Sequence, residues 1–163
     1  MDDETNRQQP ESDHANIQVH PPVLWVILVA IGYGLDYLVP LPFLPVALPA
    51  VWVGVAVWLA GFALAVIAIV QFRRAGTDVR VQTPTTQIVD TGVFARSRNP
   101  IYVGAHIGLV GVAIALDSLW ILAALAPFFL VIRYAVVARE EAYLERKFGD
   151  TYLAYKAKVR RWV

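Results

Sequence analysis

Between Val46 and Phe72 the chain carries no charged residue. A stretch of that length reads as a helix across a lipid bilayer. About 20 apolar residues span the hydrocarbon, and a helix pairs its own backbone N–H and C=O groups there. Three more apolar runs accompany it: Val23 to Val39, Ile101 to Leu116, and Leu119 to Ala138 with Arg133 inside it. At 58% hydrophobic and 17% charged, the chain is too apolar for an ordinary soluble domain. The expected fold class is all-α: a polytopic membrane protein of about four transmembrane helices, with a polar central loop and a short C-terminal amphipathic helix. The first and third runs are short, so each borrows flanking residues or sits in thinned membrane.

The turns and the bases set the expected topology. Pro40, Pro42 and Pro45 make the first two runs a hairpin. Asp117-Ser118 makes a second, tight hairpin, with either residue a good N-cap for the final helix. Arg73, Arg74, Arg80, Arg96 and Arg98 lie between the second and third runs. Arg139, Arg146, Lys147, Lys156, Lys158, Arg160 and Arg161 follow the fourth, and the hairpin turns carry no base. Lys and Arg mark the cytoplasmic side, so both termini and the central loop are expected there. Residues 1–20 read as a disordered cytoplasmic tail rather than a signal peptide. Its His14 and His20 lack a partner ligand pair and read as solvated. Residues 21–72 form the first transmembrane hairpin, and 73–163 a core of loop, second hairpin and C-terminal helices. A net charge of +1 gives no reason to expect nucleic acid. The lack of cysteine excludes a thiolate nucleophile and leaves the redox compartment unreadable.

The chemistry concentrates at two junctions. At the first, Gly92-Val93-Phe94-Ala95-Arg96-Ser97-Arg98-Asn99-Pro100 runs straight into an apolar helix. β-Branched residues from Val79 to Val89 favour an extended segment, and Asp90-Thr91-Gly92 reads as a turn. Asn99 before Pro100 is restricted to extended backbone, with Pro100 in the first turn of the helix. The free N–H groups there suit a carboxylate or another anionic part of a ligand. In the plain reading, Arg96 and Arg98 anchor the helix at headgroups. Gly54, Ala56, Ala60, Gly61 and the GxxxG of Gly104 and Gly108 let helix backbones approach closely. Gly104, one turn in from Asn99, leaves room for a ligand as well.

At the second junction, Arg133 and Glu140 share one face of a regular helix, about 10 Å apart. Arg139, Tyr143 and Arg146 lie on a neighbouring face. A charge inside a membrane run is functional by default. Glu141 and Glu145 equally fit a solvated helix end with i,i+4 partners. Gly149 is placed to end this helix. Asp150 or Thr151 then caps a last helix whose Tyr152, Tyr155 and Val159 form one apolar stripe, with its bases on headgroups.

Thr91-Gly92-Val93-Phe94, Arg98-Asn99-Pro100-Ile101-Tyr102-Val103-Gly104, Glu140-Glu141, Phe148-Gly149, Tyr152 and Tyr155 occur in this order. Together they resemble the isoprenylcysteine carboxyl methyltransferase family, whose relatives include the phospholipid N-methyltransferases. The resemblance covers roughly Phe72 to Trp162. It implies an integral-membrane enzyme that uses S-adenosyl-L-methionine at the cytoplasmic face. No glycine-rich dinucleotide loop after a strand is present to hold a cofactor otherwise. The resemblance implies cofactor contacts from Thr86, Gln87, Ile88, Val89, Phe94, Asn99, Pro100, Ile101, Tyr102, Glu140 and Glu141, with Glu140 holding the amino group or ribose. It implies a hydrophobic or lipid-like acceptor drawn from membrane lipids, O-methylation of a carboxylate first among the options. Arg133 or Arg146 would orient that carboxylate. Three positions depart from the family pattern. Asn99 stands where His is usual, Phe94 where Tyr is common, and Val136 where some members have arginine. The alternatives are a nicotinamide-dependent membrane reductase of the steroid-reductase type and a non-catalytic homologue.

Overall fold

The structure is a computed structural model and describes residues 19–45, 49–76 and 85–163. The tail through residue 18 with His14, the start of the second run at Val46, and Val79 to Pro84 of the expected extended segment lie outside the described residues. Among the described residues every regular element is helical. They are α1 (Pro21–Leu38), α2 (Ala50–Arg74), a 3-10 turn (Gly92–Ala95), α3 (Pro100–Ala115), α4 (Leu119–Ala123), α5 (Leu125–Val131), a π turn (Ile132–Val137), α6 (Ala138–Phe148) and α7 (Asp150–Lys158).

α1, α2 and the continuous rod Leu119–Phe148 are long and apolar enough to cross a membrane. α3 has 16 residues. At 1.5 Å per residue it is roughly 24 Å long, short of a hydrocarbon core of about 30 Å. α3 by itself is therefore shorter than that thickness.

The rod runs past the expected end at Ala138 to Phe148, and it is not a uniform α-helix. Pro127 has no N–H and its ring crowds the carbonyl of Ala123, which is where α4 stops. The π turn then inserts the equivalent of one extra residue. It rotates everything after it by about 100° relative to a regular helix. Arg133 and Glu140 therefore do not share the face that regular spacing predicts.

The tightest seam joins α2 and α3. α2 buries Gly54, Gly61 and Ala68, a stripe at seven-residue spacing, and leaves most of its other side chains exposed as a lipid-facing surface. A Cβ on Gly61 would lie 2.5 Å from the Gly104 carbonyl oxygen, and a Cβ on Gly104 equally close to that of Gly61. Gly54 and Gly111 face backbone of the opposite helix in the same way. On the other side, Leu109, Ala113, Ile121, Phe128, Ile132, Val136 and Val137 form the core against which α1 packs through Leu24, Trp25 and Leu28.

Both hairpin turns sit at one end of the bundle. Asp117, at φ 47°, accepts hydrogen bonds at Oδ1 from the N–H groups of Phe43 and Leu44, each at 2.9 Å. Trp120 Nε1 donates to the Val39 carbonyl at 2.8 Å. Ser118 caps α4, its Oγ accepting from the Ile121 N–H at 3.4 Å. Gly149, at φ 49°, ends α6 and directly precedes α7. Asp150 is thus the first residue of α7, and no side chain caps that helix. The stripe of Tyr152, Tyr155 and Val159 is buried against Ile88, Leu144 and Phe148.

Replacing Gly104 with Val is expected to cost about 1–3 kcal/mol by overpacking the seam. A Cβ at Gly34 meets open space, so Gly34→Ala is expected to be neutral or stabilising by up to about 1 kcal/mol. Unfolding in mixed micelles followed by circular dichroism checks both. Equal effects at the two sites would contradict the seam.

Candidate functional site

At the end opposite the hairpin turns, the loop from Thr85 to Asn99 is bound to the bundle at several points. Thr85 N–H donates to Tyr143 Oη at 3.2 Å, and Thr86 Oγ1 to the Gly76 carbonyl at 3.1 Å. Gln87 Nε2 donates to the Ala75 carbonyl. Gly92 turns the chain at φ 58°, and a Cβ there would collide with the side chain of Gln71. Gln71 Oε1 accepts from the Val93 N–H at 3.2 Å. The 3-10 turn that follows buries Phe94 edge-on to Phe72, ring centroids 4.5 Å apart. The Phe94 carbonyl accepts from Tyr155 Oη at 2.8 Å.

A charged cluster fixes the start of α3. Glu141 is buried, its side chain 8% exposed. It accepts from Arg161 Nε at 2.9 Å and Nη2 at 2.6 Å, and pairs with Arg98 Nη2 at 3.2 Å. Arg98 Nη1 donates to Tyr152 Oη at 3.4 Å, while Arg98 Nε is buried without a hydrogen-bond partner among the described residues. Two further bonds hold the segment after α7 to this point. Arg98 N–H donates to the Arg160 carbonyl at 3.0 Å, and Asn99 Nδ2 to the Arg161 carbonyl at 2.9 Å. Burial, with the nearby Glu141 charge second, pushes the Tyr152 hydroxyl up to about 12. Burial likewise raises Tyr155. Both phenols stay protonated near neutral pH; Tyr155 donates to the Phe94 carbonyl, and Tyr152 accepts from Arg98. The hydrogen bond to Glu141 raises Arg161 above its ordinary value.

Glu140 is handled differently. Its Oε1 accepts from Tyr102 Oη at 2.7 Å. Among the described residues no cation pairs with it, and no hydrogen bond reaches its Oε2.

These groups line one cavity of about 770 Å³. Its polar end holds Gln87, Arg98, Asn99, Tyr102, Glu140 and Tyr143. Its apolar end runs between α1 and α2 over the glycine face of α3, past Trp25, Trp58, Phe62, Gly104, Gly108 and Phe128. That volume lies within the range of ligand pockets, about 300–1,000 Å³.

The structure brings Gln87, Ile88, Val89, Phe94, Asn99, Pro100, Ile101, Tyr102, Glu140 and Glu141 together around this cavity. Thr86 is in the same loop but exposed and outside the lining. Arg133 lies in the π turn with its guanidinium 5.3 Å from the Tyr134 ring centroid, and Arg146 is exposed near the end of α6. Neither arginine lines the cavity. Glu145 pairs with Lys156 at the surface. Sequence reasoning passed over Arg98 as a headgroup anchor, and did not place Arg161, Tyr143, Trp25 or Trp58 near the site. One signal was available for Arg98. A cation directly before a helix N-terminus is unfavourable unless an anion sits with it.

Among the described residues, an all-helical bundle with three helices long and apolar enough to cross a membrane, holding a cavity polar at one end and apolar at the other, is the architecture of an integral membrane protein. Residues 49–151 match the phospholipid methyltransferase family, and the chain belongs to that family. It is 64% identical over 36 residues to an uncharacterized protein of Haemophilus influenzae, covering 22% of this chain and 57% of that protein. It is 34% identical over 66 residues to the nickel-cobalt-cadmium resistance protein NccN of Alcaligenes xylosoxydans xylosoxydans, covering 40% of this chain and 31% of that protein. The chain thus spans less than two thirds of either relative. No solved structure matches significantly.

Glu141→Ala is expected to cost about 3 kcal/mol, since it leaves a buried guanidinium unpaired. Glu140→Gln keeps a partner for Tyr102 and is expected to cost about 1 kcal/mol or less. Micelle unfolding of the two variants checks the contrast. A Glu140→Gln loss as large as that of Glu141→Ala would contradict this division between clamp and site.

Proposed function

We propose that the protein transfers the methyl group of S-adenosyl-L-methionine to a lipid-like acceptor drawn from the bilayer. One observation carries this reading. A single cavity joins an unpaired carboxylate near the bundle's loop end to an apolar cleft among membrane-crossing helices. Membership in the phospholipid methyltransferase family supports it.

When bound, S-adenosyl-L-methionine supplies an electrophilic methyl group on a positively charged sulfur. Its residues of contact are proposed to be those that line the polar end. Glu140 Oε2 accepts from the donor's ammonium or ribose hydroxyls, as an acceptor-only group can. Tyr102 fixes that carboxylate in place through Oε1. Phe94, Ile88 and Val89 cover the apolar parts. Methyl transfer is a direct displacement: a bond forms between acceptor and methyl carbon as the carbon–sulfur bond breaks. The protein's task is to align the three atoms and exclude water. Trp25, Trp58, Phe62 and Phe128 take the acceptor's hydrocarbon part, and their apolar surface keeps water out.

The lining favours an amine acceptor over a carboxylate. A carboxylate needs a cation to orient it at the methyl group; Arg133 and Arg146, expected to supply one, stand outside the cavity, and Arg98, the arginine that lines it, is ion-paired to Glu141. An amine needs none, and the Tyr102–Glu140 pair would receive the proton it releases. O-methylation of a carboxylate, supported by the isoprenylcysteine resemblance, is the second reading. The concentration of bases at the loop end supports a cytoplasmic site.

Purified protein is expected to bind S-adenosyl-L-methionine, with NADPH giving no thermal shift, and Glu140→Ala to weaken that binding roughly tenfold or more. With methyl-labelled donor and a bacterial lipid extract, label is expected in the lipid fraction and stable to mild base, as an N-methyl group is. Release as methanol would select the carboxylate reading. Absence of both donor binding and lipid label would overturn the proposal.

A further inference from the structure

The two halves of α1 are held in different ways. At the hairpin end α1 lies close against α4, where a Cβ on Gly32 would come within 2.8 Å of the Ile121 side chain. The chain just after α1 is bonded to the start of α4 as well. Trp120 Nε1 donates to the Val39 carbonyl, and the Leu119 N–H to the Leu41 carbonyl at 3.0 Å. At the loop end α1 is instead a wall of the cavity, through Pro22, Trp25 and Val26, and α2 faces it through Phe62, Ala65 and Ile69. Val26 and Phe62 line the cavity and are also 60% and 54% exposed, so the cavity opens sideways between the two helices. Beside this opening Trp25 Nε1 donates to the Ala105 carbonyl of α3 at 3.1 Å. Leu24 and Leu28 of the same half touch the core through apolar atoms. Lipid tails are as apolar as leucine, so such contacts give a helix little preference for the bundle over the bilayer. An indole N–H finds no acceptor among those tails. α1 also lies outside residues 49–151, the part that matches the family. What it adds is particular to this chain.

We infer that α1 is a hinged gate over the sideways opening, with the Trp25–Ala105 hydrogen bond as its latch. The inference rests on the reading that the acceptor comes from the bilayer. The half that carries Trp25 swings outward about the contact with α4. Gly32 and Gly34 put the most yielding residues of α1 at that pivot. The Ala105 carbonyl sits inside α3 and keeps its own helical hydrogen bond whether or not the indole is bound. Opening therefore breaks the latch and leaves α3 intact. An interhelical bond of this kind weights closed over open by roughly 3- to 20-fold. That is enough to shut the cleft around a bound chain and too little to trap it. The walls of the opening are apolar, so the group that passes is the hydrocarbon chain of a lipid, entering from the bilayer.

The chain has no cysteine, so introduced pairs give unique labels. Spin labels on Val23→Cys and Val70→Cys report the loop-end separation of α1 and α2. Labels on Leu38→Cys and Val51→Cys report the hairpin end. All four positions are exposed. In lipid nanodiscs Trp25→Phe, which removes the donor and keeps an aromatic ring, is expected to raise the long-distance population of the loop-end pair roughly 3- to 20-fold. The hairpin-end pair is expected to stay as it is. An unchanged loop-end distribution would overturn the gate, as would an equal change at both ends. Bridging Val23→Cys to Val70→Cys with a bifunctional maleimide is expected to lower methyl transfer to lipid roughly tenfold or more, with donor affinity kept within about twofold. Undiminished transfer in the bridged protein would also overturn it. Should Trp25→Phe fail to fold, the bridged protein decides alone. Neither donor binding nor transfer in the unbridged protein would instead overturn the methyl-transfer reading. The spin-label comparison, which needs no substrate, then decides the gate.

Discussion

The carboxylate of Glu141, buried at one end of the bundle, is matched by two cations. That single requirement joins three separate parts of the chain. Arg98 brings the start of α3, Glu141 the middle of α6, and Arg161 the segment after α7. The backbone bond from Arg98 to Arg160 and the amide bond from Asn99 to Arg161 follow the same line. Asn99 is therefore spoken for by the chain itself. Its amide fixes a carbonyl, a task that needs hydrogen bonding but no titration. That gives a physical account of an amide at a position where the family resemblance leads one to expect His.

The second constraint is the contact between α2 and α3. Glycines bring the two backbones so close that any side chain at Gly61 or Gly104 would strike a carbonyl. The short α3 is thereby held deep between its neighbours. Its N-terminus ends up inside the bundle, with Asn99 and Pro100 buried. α1 packs on the far side of α3, against α4 and the core. The space left between α1 and α2 becomes the apolar half of the cavity. The packing that makes the fold stable also makes the cleft, so the small residues serve both ends at once.

The parts of this arrangement that depend on local rules were legible in the sequence. Apolar length gave the helices, prolines and Asp117-Ser118 gave the hairpins, and Gly149 gave the end of α6. The residues around the cavity came from a family pattern, not from periodicity. What escaped was tertiary or non-periodic. The π turn is invisible to a rule that assumes a constant rotation per residue, and it moved Arg133 off the face of Glu140. Arg98 looked like any interfacial arginine because its partners, Glu141 and Tyr152, are far along the chain. Gly149 displaced Asp150 and Thr151 as the residue before α7, because one positive-φ residue joins α6 directly to α7.

The central claim is that one cavity receives both the methyl donor and the hydrocarbon of its acceptor. A structure of the protein in a lipid nanodisc with S-adenosyl-L-homocysteine tests this most directly. The account predicts the ligand between the loop from Thr85 to Asn99 and α6, with its sulfur turned toward the cleft of Trp25 and Trp58 and a lipid chain lying in that cleft. A ligand bound elsewhere on the surface, or a cavity left empty at saturating ligand, would contradict it.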